Sequence, residues 1–398
     1  MTRRKQTRVR GNAWALLGQG RCCRLYCHGQ VLGLVFAVCG CDRPIFSGLG
    51  DLAGGEFASH ATAVDDNGRV VVGWSETDEG EQAFRWSPGS GLEALPGEGS
   101  RAHDVSPDGT QVAGRVATPE EPEDQVAVVW SDDDSFRVLG GFPEPEAPFT
   151  FFMWDATVAL NTGSAYGNCV QRGAYGDLLG TYADVSGDFD LVNLGSGRSG
   201  YINDADASGF FVGERIPPNH HHDGSWGSVA VASDGVELGY PQGTGCFVPH
   251  DCRSAAWAFS ADHSVIVGTS VVPLPCGGPI CPGPLYDTAF VYTAGEGMLG
   301  LPDIEGGEEA SGAYTVDASG RVIGGFGTTS GGRRAVVWVD RPPRLLHDVV
   351  LDQGGRIPYG WVLLEITAMT PDGLVLAGNG TNASGHPEAF HVVLVDSF

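Results

Sequence analysis

Three adjacent histidines and an aspartate, His220-His221-His222-Asp223, form the most conspicuous polar cluster in the chain. Imidazole binds zinc, nickel and copper well, so the cluster could hold a metal. Successive residues of an extended segment point to opposite sides, however, which keeps three neighbours from meeting one ion. The cluster reads first as a solvated loop, with His220, His221 and His222 as weak metal candidates. His250-Asp251 lies in the next loop, between Cys246 and Cys252, and could join Asp223 if the two loops share a face. Acidic runs at Thr118–Asp124, Ser131–Ser135 and Asp65-Asp66 offer the oxygen ligands calcium prefers. None has the alternating spacing of an EF-hand loop, and they read as hairpin tips. No resident cofactor is expected; calcium or zinc are the ions these residues could take.

Nucleophilic chemistry finds less support. The chain has no Gly-x-Ser-x-Gly elbow, no zinc-protease helix and no phosphate-binding loop, so no catalytic residue is assigned. Trp86, Trp130 and Trp338 could stack on carbohydrate, but their recurrence at one strand position points to packing between repeats.

Five cysteines follow Cys41: Cys169, Cys246, Cys252, Cys276 and Cys281. Cys246 and Cys252, like Cys276 and Cys281, are close in sequence within Gly/Pro-rich stretches, and local disulfides are their natural reading in an oxidising compartment. Closing a loop of about six residues removes roughly 2 kcal/mol of unfolded-state freedom, enough to staple a loop but not to hold a fold. The rival is one zinc site built from these four cysteines, although five and four intervening residues are loose for it. Cys169 is left over and reads as a buried apolar thiol.

Charge is divided sharply along the chain. Residues 1–40 carry seven basic side chains and no Asp or Glu, whereas the remaining 358 carry 16 Arg, no Lys and all 49 acidic residues, a net −33. A body this acidic repels phosphate backbones, which excludes nucleic acid as a partner. The basic head runs into Val31–Val38, an apolar stretch of signal-peptide length and too short for a membrane-spanning helix. Val38-Cys39-Gly40-Cys41 resembles the bacterial lipobox, in which the final cysteine is diacylated. The resemblance implies a signal peptide over 1–40, lipidation at Cys41 and an envelope protein held on a membrane by its lipid anchor. By the same resemblance to enterobacterial lipoproteins, Asp42 implies retention at the inner membrane.

Residues 41–398 are read as one domain of seven repeats. A glycine closes an apolar strand in every copy, at Gly73, Gly114, Gly167, Gly213, Gly268, Gly324 and Gly378. Most of the turns before them, such as "DDNG", "SPDG" and "DASG", hold residues that tolerate positive φ or hydrogen-bond locally. A third strand returns around Ala-Phe-x-Trp, as at Ala83–Trp86, and a fourth follows near Leu-Gly. Four short strands in roughly 50 residues make one propeller blade. The seventh copy stops after its third strand, and an unpaired strand stands before the first copy at Ile45–Leu52. These pieces predict an all-β, seven-bladed propeller of four-stranded antiparallel blades, closed by an N-terminal strand that completes the last blade and covers its edge.

The pattern "A-x-x-V/I-x-x-x-G-x-V-V-G", followed by "A-F-x-W" and "L-G", resembles the HAF repeat of predicted bacterial extracellular proteins. The stretch from "LHDVVLDQGG" to "AFHVVL" also resembles the end of such proteins. The resemblance covers residues 45–398 and is weakest in copies three and four. It implies a surface propeller and carries no catalytic residues. The resulting expectation is a monomeric, non-enzymatic envelope lipoprotein whose loop face binds a protein or glycan ligand, or serves as a scaffold. The alternative is a hydrolase or lyase acting on glycan or peptide at the channel mouth.

Overall fold

The computed structural model describes residues 43–118, 125–132, 135–139, 151–171, 178–183, 189–192, 194, 199–216, 227–242, 252–273, 285–307 and 310–396. Seven four-stranded antiparallel sheets follow one another as the blades of a propeller. In six of them the four strands lie in chain order. The seventh takes its outermost strand from the start of the chain: Ile45–Gly48 pairs antiparallel with Pro387–Val393, Ile45 opposite Val393 and Gly48 opposite Phe390. The closure predicted from the displaced strand is therefore the one observed.

Each blade places its first strand innermost, and residues of all seven first strands line a common axial cavity. These strands are Ser59–Val64, Arg101–Val105, Phe151–Ala159, Ser199–Ala205, Arg253–Phe259, Ser311–Val316 and Val362–Met369. A short helix, Leu346–Asp352, links blades six and seven and buries Leu346, Val349 and Val350 in a cluster shared by both.

The core lies between blades. Trp130 of blade two packs with Val72 and Ala83 of blade one, and Trp338 of blade six with Val267 and Ala289 of blade five. Each indole N–H also reaches back 2.7 Å to a carbonyl of the preceding blade, Pro96 for Trp130 and Pro302 for Trp338. Trp86 packs likewise against Ala377 and Ala389 across the closure. Burying one indole removes roughly 150–250 Å² from water, on the order of 4–6 kcal/mol before entropy is counted. The three tryptophans join blades, as their periodicity implied.

The strand-ending glycines have one steric cause. The innermost strand of every blade carries a β-bulge opposite the second strand, for instance between Ala61 and Ala63, where only Gly73 and Val72 face them. The bulge swings the inner-strand carbonyl onto the glycine. A Cβ at Gly73 would overlap the His60 oxygen, one at Gly213 the Tyr201 oxygen, and one at Gly268 the Ala255 oxygen. Copy six corrects the predicted register. Gly325, not Gly324, pairs with Ala313 and would strike the Gly312 oxygen, while Gly324 pairs with Thr315 beyond the bulge.

Candidate functional site: a channel lined by bulged residues

A bulge re-aims the side chain that it expels from the ladder. In blade order the expelled residues are Thr62, His103, Thr157, Asn203, Trp257, Tyr314 and Thr367, and all seven line the axial cavity, whose volume is about 350 Å³.

Four of them tie neighbouring blades together. Thr62 Oγ1 donates to the Ala102 carbonyl at 3.0 Å, Thr157 Oγ1 to Ile202 at 2.7 Å, Asn203 Nδ2 to Ala256 at 2.9 Å and Thr367 Oγ1 to Ala61 at 3.0 Å. Each acceptor is the residue just before the bulge of the next blade. The last of these bonds crosses the ring closure. Three positions depart from this pattern and carry the large side chains His103, Trp257 and Tyr314. His103 Nε2 lies 3.0 Å from the Asp155 carboxylate of blade three. Tyr314 Oη accepts from Arg333 Nη2 at 3.0 Å, and burial holds its phenol above the ordinary tyrosine range. Trp257 meets Tyr314 edge-on, ring centroids 6.1 Å apart, yet keeps 37% of its surface exposed, whereas Trp130 and Trp338 keep none.

The residue after the bulge is an aspartate in blades two and four. Asp104 Oδ2 accepts the Ala159 N–H of blade three at 2.8 Å, and Asp204 likewise accepts the Phe259 N–H of blade five. Both carboxyls line the cavity together with Asp66, a hairpin-turn residue of blade one. Loss of water raises the Asp104 carboxyl to about 7, against the pull of its backbone donors. Loss of water, reinforced by the charge of Asp104, raises Asp204 well above the carboxylate range. Asp66 is raised too, by burial and then by Asp65. No Lys or Arg lines the cavity.

Of the polar residues singled out in the sequence, Asp66 alone among those described lines the cavity. His220, His221, His222, Asp223, His250, Asp251, Cys41, Cys246, Cys276 and Cys281 lie outside the described residues. Cys252 and Cys169 are buried, the latter in the second strand of blade three. Asp65 is a turn-former whose Oδ1 accepts from the Arg69 and Val70 N–H groups. Asp132 pairs with Arg85 of the previous blade at 2.8 Å, and Thr118 is buried. Residues 119–124, 133 and 134 of the acidic runs are outside the described set. Among the described residues no three His, Cys, Asp or Glu side chains converge as metal ligands.

The sequence reading missed the channel set, although a signal for it exists. A serine stands three residues before the expelled side chain in four blades: Ser59, Ser100, Ser254 and Ser311. Each is buried and accepts the N–H of a third-strand alanine one blade earlier, Ala389, Ala83, Ala230 and Ala289 respectively, at 2.8–3.1 Å. The spacing Ser-x-Ala-x thus marks the channel position.

No family model and no curated protein match this chain. Solved structures do. The β-propeller domain of the trilobed protease from Pyrococcus furiosus, described as an open velcro topology, aligns with a TM-score of 0.51 at 11% identity over 85% of this chain and 96% of that one. TolB from Acinetobacter baumannii aligns with a TM-score of 0.38 at 11% identity over 71% of this chain. The chain spans 61% of that TolB chain's length. XC5397 of Xanthomonas campestris, a gluconolactonase, gives 0.37 at 14% identity, covering 88% of this chain and 89% of that one.

Proposed function

We propose that the protein is a non-enzymatic binding module of the bacterial cell envelope, anchored by lipid at Cys41, whose axial cavity takes a small ligand. The observation that carries the binding reading is the bulge ring. All seven blades deliver one side chain to the axis, and the threonine hydroxyls found there, Thr62, Thr157 and Thr367, donate to backbone carbonyls rather than to a base. A hydroxyl bound in that way is a strut between blades, not an activated nucleophile. A cavity of about 350 Å³ falls in the range of small-ligand sites. Placement in the envelope rests on the basic head, the Gly40-Cys41 junction and the repeat resemblance.

The test uses the detergent-extracted protein, incubated with a low-molecular-mass extract of bacterial envelopes and passed through a sizing column. The expected result is a compound retained by the wild type, released unchanged on denaturation, and lost in Trp257→Ala. Conversion of a glycan or peptide fragment by the wild type but not by Asp104→Asn would overturn the reading in favour of a hydrolase or lyase. Mass analysis of the N-terminal peptide should find the diacylglyceryl group on Cys41, and an unmodified Cys41 would remove the anchor.

A further inference from the structure

The cavity has two chemically distinct walls. One is aromatic: Trp257 and Phe259 of blade five, with Tyr314 of blade six. The other is acidic: Asp66, Asp104 and Asp204 of blades one, two and four. Their only basic neighbour in the lining is His103. Three carboxyls facing one desolvated space repel one another, with no Lys or Arg among the described lining residues to balance them. An anionic ligand would add to that repulsion, so phosphates and carboxylates are excluded. The aromatic wall carries its own demand. Trp257 keeps 37% of its surface exposed in the cavity, whereas the third-strand indoles Trp130 and Trp338 are fully covered, and that apolar surface calls for a partner of matching shape.

Resting on the reading of the channel as a binding site, we infer that its ligand is an organic monocation: an ammonium or guanidinium group set between Asp104 and Asp204, on an aromatic or aliphatic body stacked against Trp257. Both walls are used at once, because an indole face attracts cations as well as apolar surface. The two aspartates are preset for it. Each accepts a backbone N–H of the following blade and another from the next residue of its own strand, Ala159 and Val105 for Asp104 and Phe259 and Ala205 for Asp204, which fixes the carboxyl plane at the cavity wall. Asp104 and Asp204 come from blades two and four, and the Asp204 carboxyl feels the charge of Asp104, so one cation set between them answers both. The field of the whole body points the same way, since residues 41–398 carry 16 basic and 49 acidic side chains and raise the local concentration of any cation.

The test compares tyramine, N-acetyltyramine and N-acetylglucosamine by calorimetry on the detergent-extracted protein. Tyramine should bind, and acetylation, which removes only the charge, should weaken it at least tenfold. N-acetylglucosamine should not compete. Affinity for tyramine should rise between pH 6 and pH 8 as Asp104 ionises beside His103, Asp66 and Asp204. Asp204→Asn and Trp257→Phe should each cost about tenfold, with melting curves recorded to show that both variants fold. Equal affinity for the acetylated compound, binding of the sugar, or no binding of tyramine would overturn the assignment. Retention of a neutral envelope compound in the extract experiment would then leave the binding reading standing and remove only its cationic class.

Discussion

Gly73 lies directly beneath the carbonyl oxygen of His60, in space that a Cβ would occupy. The contact exists because Thr62, two residues on, has been expelled from the ladder towards the axis. Glycine and channel residue are thus two halves of one device: the bulge aims a side chain inward, and the missing Cβ opposite makes the bulge possible.

The first prediction follows from that device and separates two adjacent glycines. Gly325→Ala would drive a methyl group into the Gly312 backbone and should destabilise by about 3 kcal/mol or more. Gly324→Ala meets only side-chain atoms of Ile366, Thr315 and Met369, at 2.9–3.0 Å, and should cost distinctly less. Paired denaturant titrations check the order. The reverse order would return the register to Gly324.

Asp104 predicts a pH dependence of stability. Its carboxyl titrates at about 7 in the fold and at 3.8 when unperturbed. The folded state therefore holds its proton more tightly, so the contribution is complete below about pH 4 and is lost as pH rises through 7. Asp104→Asn keeps an acceptor for the Ala159 N–H without the charge. It should match the wild type near pH 4 and exceed it at pH 8 by on the order of 2 kcal/mol, allowing for screening from the cavity. Equal stability at both pH values would contradict the assignment. The same variant should bind cations less well, a trade of function against stability common at functional sites.

Trp130 and Trp338 predict matched penalties at two seams. Trp→Phe at either site keeps most of the packing but leaves the Pro96 or Pro302 carbonyl without its donor, which should cost about 1–3 kcal/mol. Trp→Ala should cost about 3–5 kcal/mol. Thermal melts of the four variants decide the matter, and indifference to Trp→Phe would show that water replaces the indole.

The closing strand predicts a local effect. Phe46 packs edge-on against Trp361 at 4.9 Å and lies 6.1 Å from Phe390. Phe46→Ala should speed hydrogen exchange at the amides of Glu388–Val393 more than in blades two to six. Uniform acceleration round the ring would mean that the closure does not act as a separable unit.

Much of this architecture is legible in the sequence, for a steric reason. Glycine is the only residue that fits beneath the bulge, so the pattern persists where hydrophobic letters drift, as at Gly213 in a degraded copy. The displaced strand is legible because an unpaired edge must be covered. Copy six is ambiguous because Gly324 and Gly325 both satisfy the motif and only pairing separates them. Turns show a similar limit. "SADH" reads as a turn, but His263 takes the left-handed position with φ of 59°, supported by stacking on Phe210 at 4.0 Å and by Asp206 at 2.7 Å. Those partners belong to the preceding blade and leave no local signal. Asp104 and Asp204 were hidden for a related reason: each looks like an ordinary polar strand position until the bulge shifts the alternation and turns it to the cavity.

The bulge ring also bears on how such a protein can change. An expelled side chain pairs with no residue across the ladder, and the glycine opposite it, joined in four blades by the serine three residues before, holds the backbone whatever letter stands at its tip. Thr, His, Asn, Trp and Tyr already occupy equivalent places on one unaltered frame. Selection can therefore rewrite what the axis recognises most freely at His103, Trp257 and Tyr314, which stand outside the set of carbonyl struts between blades.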